Sequence, residues 1–263
     1  MAHLLIKFGG GLITDKSAMK TVDHEIVSQL CQMISDLLAQ GHTVTIVHGA
    51  GSFGHLKAKE WRIAKGADEE ILTEQVLAVD SIRQDMRELN SILCESLNES
   101  NITTRSLPPS DWAQETGPQF IGDLSPIQQT PPEIVAVTFG DVVDCDPPKL
   151  FGILSGDDLM VRIGREIPTI THCIFLLGDT EGLLSGPPSD PNAELIQIWT
   201  PKQAIIGEHD SSQDVTGGIF LKLSSAAKIA EVVEHVWLLD GRCPERLQEI
   251  LENGTTRGTR ISL

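Results

Sequence analysis

Short apolar runs alternate along the chain with longer segments whose apolar residues recur at helical spacing. Runs of strand length cover residues 4–8, 43–47, 102–107, 134–139, 171–177, 236–239 and 259–263. Helical spacing marks residues 23–40, 70–99, 157–165, 218–235 and 244–252. Because strands and helices alternate, we predict an α/β protein, a three-layer α/β/α sandwich around a mostly parallel central sheet.

The longest helical segment, residues 70–99, carries a single apolar stripe. Its members are Leu72, Val76, Val79, Ile82, Met86, Leu89 and Leu93. Residues three and four apart share one face of a helix, so the stripe predicts contact with the core.

Residues 108–148 interrupt the alternation. They hold 8 of the 14 prolines, which indicates a flap or a set of hairpins around the strand at 134–139. Trp112, Phe120 and the apolar run 134–137 would anchor this segment, which is not typical of a disordered linker. We therefore predict a single domain over residues 1–263.

The charge of the chain limits its partners. Lys and Arg number 20 against 37 Asp and Glu, which gives a net charge of −17. Such a chain repels nucleic acids and anionic membrane surfaces, and its apolar runs are too short to span a bilayer. The five cysteines form no CxxC pair, and no signal peptide is recognisable, so we expect reduced thiols and a cytoplasmic protein.

Two glycine-rich turns follow strands and are candidates for anion binding. In Lys7-Phe8-Gly9-Gly10-Gly11 the glycine amides can approach a phosphate and Lys7 can supply charge, although an ordinary turn with an exposed lysine has the same residues. Lys16 is either a second lysine that neutralises a phosphate or a solvated loop lysine.

The second turn, residues 48–55, contains a literal GxGxxG. A dinucleotide site would require an acidic residue about 20 positions later, at the end of the next strand, and that region is helical. We therefore interpret the turn as an anion cradle at a helix N-terminus. His55 lies at the mouth of the cradle and is either a hydrogen-bond donor to a phosphate oxygen or a capping or surface histidine. His48 ends a buried strand, and we expect it to be structural.

Further along the chain, three segments combine glycine with charge. Ser155-Gly156-Asp157-Asp158 opens a helix, either as a helix cap or as a phosphate site. Residues 214–218 lead into a helix that carries Lys222, and their paired glycines suggest close approach of a ligand. The turn at 178–182 contains Asp179 and could hold a base or a ribose.

Taken in order, these segments resemble the amino acid kinase superfamily, and within it the isopentenyl phosphate kinase family. The signature loop of that family is similar to residues 48–55, and its phosphate-binding histidine matches His55. Residues 187–193 resemble the eukaryotic-type branch. Gly11 stands where the family often has serine, and residues 178–181 depart from the usual nucleotide-loop pattern.

The resemblance implies an enzyme that uses ATP and Mg²⁺ to convert isopentenyl phosphate to isopentenyl diphosphate in isoprenoid supply by the mevalonate pathway. It implies a homodimer, with acceptor binding by residues 1–165 and nucleotide binding by residues 166–263. Mg²⁺ would arrive on ATP, with no direct protein ligand.

The resemblance also assigns site residues. Catalytic roles fall to Lys7, Lys16, His55 and Lys222. ATP contacts fall to Lys7, Gly9, Gly10, Gly11, Gly51, Asp179, Gly218 and Lys222. The acceptor phosphate would lie among Ala50, Gly54, His55 and Gly156. Most members of the helical stripe face the core, and Val79, Ile82 and Met86 are the candidates for the residue that closes the pocket for the five-carbon chain.

Two other functions are consistent with the same residues. One is a kinase for another small phosphate or a phosphonate such as fosfomycin. The other is a nucleotide-binding sensor on the same fold, which would not need an acceptor site.

Overall fold

The computed structural model describes residues 1–15, 18–201 and 218–263. Its strands are His3–Phe8 (β1), Thr43–His48 (β2), Thr104–Ser106 (β3), Ala113–Gln114 (β4), Ile121–Gly122 (β5), Val135–Phe139 (β6), Asp141–Asp144 (β7), Phe151–Leu154 (β8), His172–Leu177 (β9), Ile198–Trp199 (β10), His235–Asp240 (β11) and Thr259–Ile261 (β12). Its α-helices are Gly10–Ile13 (α1), His24–Ala39 (α2), Gly51–Glu60 (α3), Leu72–Glu99 (α4), Ser125–Gln128 (α5), Gly156–Glu166 (α6), Gly218–Ala230 (α7) and Glu245–Asn253 (α8).

The main sheet of the described residues has the strand order β10-β12-β11-β9-β1-β2-β6-β3. Its pairings are parallel except between β11 and β12. β1 lies between β2 and β9, so the two glycine turns that follow β1 and β2 emerge side by side at the carboxyl edge. The predicted mostly parallel sheet is confirmed.

Alternation along β1 divides the core into two layers. Leu4, Ile6 and Phe8 belong to the apolar cluster that also contains the buried residues of α2, α4 and α8. Leu5 belongs to the cluster formed with α6 and α7. Because successive strand residues point to opposite faces, Lys7 shares the face of Leu5 and points toward α6. Helices therefore cover both faces, and the predicted three-layer sandwich is confirmed.

The proline-rich segment forms hairpins. β5, β4, β7 and β8 make a second sheet in that order, so of the two predicted alternatives the hairpins are found. Arg83 on α4 holds this sheet in place, with Nε donating to the Val142 carbonyl at 2.8 Å and Nη2 lying 2.7 Å from Asp144 Oδ1. The pairing of β7 with β8 was not predicted, because each strand has only four residues and two prolines lie in the loop between them.

The predicted stripe on α4 is wrong at one position. Val76 is 47% exposed, whereas Gln75 beside it is fully buried. The Gln75 amide accepts from Asp68 N at 2.8 Å and donates to the carbonyls of Trp61 at 2.9 Å and Gly66 at 3.2 Å. A residue buried at this position must form hydrogen bonds with the amide and carbonyl groups of the loop, and valine has no side-chain group that can do so.

Two further boundaries differ from the predictions. α7 ends at Ala230, five residues before the predicted end, because the chain turns there to enter β11. α3 begins at Gly51, inside the segment predicted as a turn. Within the described residues, no helix has the length and apolarity needed to cross a membrane.

Substitutions on α4 test this burial pattern. Leu93→Ala should lower the free energy of unfolding by about 2–5 kcal/mol, because Leu93 is 1% exposed and its removal leaves a cavity. Leu77 on the same helix is 67% exposed, and Leu77→Ala should change it by no more than about 0.5 kcal/mol. Urea denaturation measures both values, and equal losses would contradict the assignment of the buried face.

Candidate active site

A cavity of about 780 Å³ lies where the carboxyl ends of β1, β2, β6 and β9 meet. It is lined by the glycine turns, by α3, α4 and α6, by β7 and β8 and by the start of α7. Ligands of open parallel sheets bind at this edge, so the position agrees with the expectation from strand order.

Two glycine turns line the middle of the cavity in backbone contact with each other. A Cβ added to Gly10 would lie 2.3 Å from Gly51 N, and one added to Gly49 would lie 2.6 Å from Gly10 N. Gly51 also has a positive φ of 49°. The packing of the two turns against each other therefore requires these glycines, whether or not a ligand also approaches their amides.

A buried ion-pair cluster lies beside the first turn. Lys7 Nζ is 2.5 Å from Asp157 Oδ1, and Lys222 Nζ is 3.9 Å from Asp157 Oδ2. Lys7 and Asp157 are almost fully buried. Asp157 thus lies close to two ammonium groups that line the cavity, an arrangement that can attract an anion.

The capping of α6 explains why Asp157 is available for this role. Ser155 is the N-cap, and its side chain and that of Asp158 form a reciprocal capping box. The serine hydroxyl accepts from Asp158 N at 3.1 Å and donates to Asp158 Oδ2 at 2.7 Å. From the sequence, Asp157 was predicted only as part of a helix cap or phosphate site. The ion pair was missed because it joins residues 150 positions apart in the chain.

The C-terminal side of the cavity is formed by the turn after β9 and by the start of α7. Gly178, Asp179 and Gly218 line it, together with the half-exposed Phe220. Gly218 has a φ of 55°, so the backbone conformation is a second reason for glycine there. Glu181 in the same turn forms a bidentate pair with Arg257, with oxygen–nitrogen distances of 2.6 and 2.7 Å.

Another part of the cavity lining is apolar. Ile82 and Met86 of α4 line it together with Val142 of β7 and Ile153 of β8. A Cβ added to Gly54 would lie 3.2 Å from Met86 Sδ, so the first turn of α3 and this wall adjoin. Val142 and Ile153 were not predicted, because their hairpin was not recognised in the sequence.

Similarity to known proteins identifies the family of this chain. The model of the amino acid kinase family matches residues 3–239. The isopentenyl phosphate kinase of Thermoplasma acidophilum is 30% identical over 250 residues, which are 94% of this chain and 95% of that protein. This chain belongs to the amino acid kinase family.

Other isopentenyl phosphate kinases are similar to this chain over nearly their whole length. The isopentenyl phosphate kinase of Methanothermobacter thermautotrophicus is 29% identical, with 98% of each chain covered. A solved isopentenyl phosphate kinase superposes with a TM-score of 0.83 at 26% identity, covering 99% of this chain and 100% of that one. The predicted fold and family are confirmed, and kinases of this family imply the use of ATP.

The cavity of this amino acid kinase brings together most of the predicted site residues. Those that line it are Lys7, Gly9, Gly10, Gly11, Ala50, Gly51, Gly54, His55, Ile82, Met86, Gly156, Asp179, Gly218 and Lys222. Val79 is buried in the core of α4 and is not among the lining residues, so of the three candidates on α4 only Ile82 and Met86 line the cavity. Lys16 and residues 214–217 lie outside the described residues.

Two buried polar residues near the cavity are held by the protein itself. His48 stacks on Phe139 with ring centroids 4.9 Å apart, and burial lowers its pKa to about 4, so it is neutral at pH 7. This confirms a structural role. Burial raises the pKa of Asp141, which accepts hydrogen bonds from the amides of Ser110 and Val142. Within residues 1–15, 18–201 and 218–263, no group of three or more His, Cys, Asp or Glu could hold a metal ion.

The buried lysine makes nucleotide binding depend on pH. Burial lowers the pKa of Lys7 to about 8, although the neighbouring Asp157 raises it in part. Above that pH the free protein holds a neutral amine, which attracts phosphate weakly. The Kd of a non-hydrolysable ATP analogue should therefore increase as the pH rises from 8 to 9.5.

A calorimetric titration from pH 7 to 9.5 measures this dependence. Lys7→Arg is the matched control, because arginine stays protonated over the whole range and its Kd should not vary with pH, whatever its absolute value. A wild-type Kd that is constant up to pH 9.5 would show that Lys7 remains charged.

Proposed function

We propose that this protein transfers the terminal phosphoryl group of ATP to isopentenyl phosphate, giving isopentenyl diphosphate and ADP. The observation that carries the proposal is a single cavity whose lining combines two ammonium groups, two glycine turns and an apolar wall. A phosphorylated ligand with a short hydrocarbon chain has the same distribution of charge and apolar surface. The isopentenyl phosphate kinases related over nearly full length support this choice.

The donor end would hold ATP. Lys7 and Lys222 would neutralise its phosphates, while the turn after β1, Gly51, Asp179 and Gly218 would surround the nucleotide. Asp157 would keep the two lysines in place. The turn after β9 and the start of α7 face this side, so we propose nucleotide binding by residues 166–263 together with Lys7, the turn after β1 and Gly51, and acceptor binding by other parts of residues 1–165.

The acceptor end would hold isopentenyl phosphate. Ala50, Gly54, His55 and Gly156 would surround its phosphate, and Ile82 and Met86 would contact the five-carbon chain. His55 lies half-buried on α3 and lines the cavity, so it can donate to a phosphate oxygen. Lys16 remains a predicted cation for the transferred group.

The chemistry requires positioning and charge neutralisation. A phosphate monoester has a second pKa of about 6, so at neutral pH its oxygen is already deprotonated and needs no general base. That oxygen forms a bond to the γ-phosphorus, the bond from the γ-phosphorus to the β,γ-bridging oxygen breaks, and ADP leaves with the electron pair. Lysines and backbone amides oriented in advance stabilise the charge that is spread over the transferred group.

Mg²⁺ fits this site as a companion of ATP. The groups aimed at the phosphate end are ammonium and amide donors, which bind phosphate oxygens, and Asp157 is engaged by Lys7. Mg²⁺ held by the nucleotide phosphates would supply further positive charge there. We also propose a cytoplasmic homodimer acting in isoprenoid precursor supply, with sedimentation at micromolar concentration as the test of the dimer.

An acceptor assay tests the function. ADP release should be fast with isopentenyl phosphate, slow with fosfomycin and near zero without an acceptor, and ³¹P NMR should show a diphosphate product. Turnover of fosfomycin alone would favour a phosphonate kinase. Nucleotide binding without any turnover would favour a sensor.

His55 should contribute to catalysis through a hydrogen bond. His55→Ala should lower kcat/KM by about 10²-fold, the effect of losing one well-placed donor. His55→Gln retains a donor and should lose less. Steady-state kinetics with isopentenyl phosphate measure both, and an alanine variant with wild-type kcat/KM would remove His55 from the mechanism.

The apolar wall should set the length of the accepted chain. Met86→Ala and Ile82→Ala should open space beside the acceptor turn, so the ratio of kcat/KM for geranyl phosphate to that for isopentenyl phosphate should rise. Each substitution should also cost about 2–5 kcal/mol of stability, because both side chains are buried. Val79→Ala is the control, since Val79 is buried on the same helix away from the cavity lining. An unchanged ratio in both folded wall variants would place the chain elsewhere.

A further inference from the structure

A buried threonine connects the two glycine turns of the cavity. Thr14 follows α1 directly and is 3% exposed. Its Oγ1 donates to the Gly10 carbonyl at 2.7 Å and accepts from the Ser52 amide at 3.0 Å. A hydroxyl has one proton to donate and lone pairs to accept, so both bonds form at the same time.

The two partners of this hydroxyl lie on different elements of the cavity. Gly10 lies in the turn after β1, which is assigned to ATP, and Ser52 lies in the first turn of α3, between Gly51, which is assigned to ATP, and Gly54, which is assigned to the acceptor phosphate. Gly10 and Gly51 are already in backbone contact at this point. The hydroxyl therefore bonds both sides of the contact between the donor turn and the helix that carries the acceptor residues Gly54 and His55.

The N-terminus of α3 lacks a cap of its own. Its N-cap residue is Ala50, which has no side-chain group to accept from the first-turn amides. Thr14 supplies that acceptor from another part of the chain, and it takes up the Ser52 amide. A Cβ on Gly51 would lie 2.0 Å from Thr14 Oγ1, so only glycine leaves room for this hydroxyl.

We propose that Thr14 is a positioning residue, whose hydroxyl sets the distance and angle between the donor and acceptor phosphates. The inference rests on the proposed function, since it concerns transfer between two phosphates bound on either side of the contact. In-line transfer is sensitive to errors of about 1 Å in the placement of the reacting groups, which can cost 10²-fold in rate. Thr14 touches neither phosphate in this proposal and acts through the two turns.

The test compares Thr14→Val, which has nearly the same shape without the hydroxyl, with Thr14→Ser, which keeps it. Thr14→Val should lower kcat by about tenfold to a hundredfold. The Kd of a non-hydrolysable ATP analogue and that of isopentenyl phosphate, each measured singly, should change by less than threefold. Thr14→Ser should restore kcat to within threefold of wild type.

Thr259→Val is the matched control for the loss of a buried hydroxyl. Thr259 Oγ1 also makes two bonds, donating to the Ile196 carbonyl at 2.7 Å and accepting from the Leu183 amide at 2.8 Å, and Thr259 does not line the cavity. Both valine variants should lower Tm to a similar extent, but only Thr14→Val should lose kcat. Hydrogen exchange at the Ser52 amide should be faster in Thr14→Val than in wild type.

Three results would overturn the proposal. The first is a kcat of Thr14→Val within threefold of wild type, and the second is a rise of both Kd values by as large a factor as kcat falls. The third is a kcat of Thr14→Ser as low as that of Thr14→Val. If Thr14→Val does not fold, Thr14→Cys replaces it, because a thiol fills the space but bonds weakly and should lose kcat likewise. Failure of the proposed function is distinguishable, since it would appear in the wild type as an absence of turnover with isopentenyl phosphate.

Discussion

The buried pair of Lys7 and Asp157 is the constraint on which the arrangement of the cavity depends. An ammonium group buried at the end of the central strand is costly unless an opposite charge lies close to it. Asp157 meets this requirement at 2.5 Å, and to do so α6 must begin against the carboxyl end of β1. The capping box of α6 fixes the helix start independently of the pair. Lys222 Nζ at the start of α7 lies 3.9 Å from the other oxygen of the same carboxylate, so a second positive charge faces the pair.

The glycines of the turns after β1 and β2 have two functions. Gly10, Gly49 and Gly51 permit the turns after β1 and β2 to touch through their backbones, and the same turns present amides to the cavity. Close packing of the turns brings two sets of glycine amides together, and a transfer between two phosphates would require such proximity. Because the contact involves backbone atoms, its geometry is not adjusted by side-chain rotation, and a hydroxyl such as that of Thr14 can hold it.

The apolar end of the cavity depends on a different element. α4 supplies Ile82 and Met86, and the hairpin of β7 and β8 supplies Val142 and Ile153. Arg83 joins the two by bonding Val142 and Asp144 from α4. The wall is therefore assembled from parts of the chain that are about 60 residues apart, and it is stabilised by a polar contact outside the cavity.

Local patterns in the sequence determined the strands of the main sheet other than β10, the long helices, the two glycine turns and the lysines near them, because periodicity and turn chemistry depend on neighbouring residues. They also identified Ile82 and Met86 as candidates for the wall. Tertiary structure alone decided that Asp157 pairs with Lys7, that Gln75 displaces Val76 from the core, that Val79 lies off the cavity and that Val142 and Ile153 complete it. Each of these outcomes depends on a distant backbone group, charge or strand, and such a partner leaves no mark on the periodicity of the segment in which the residue occurs.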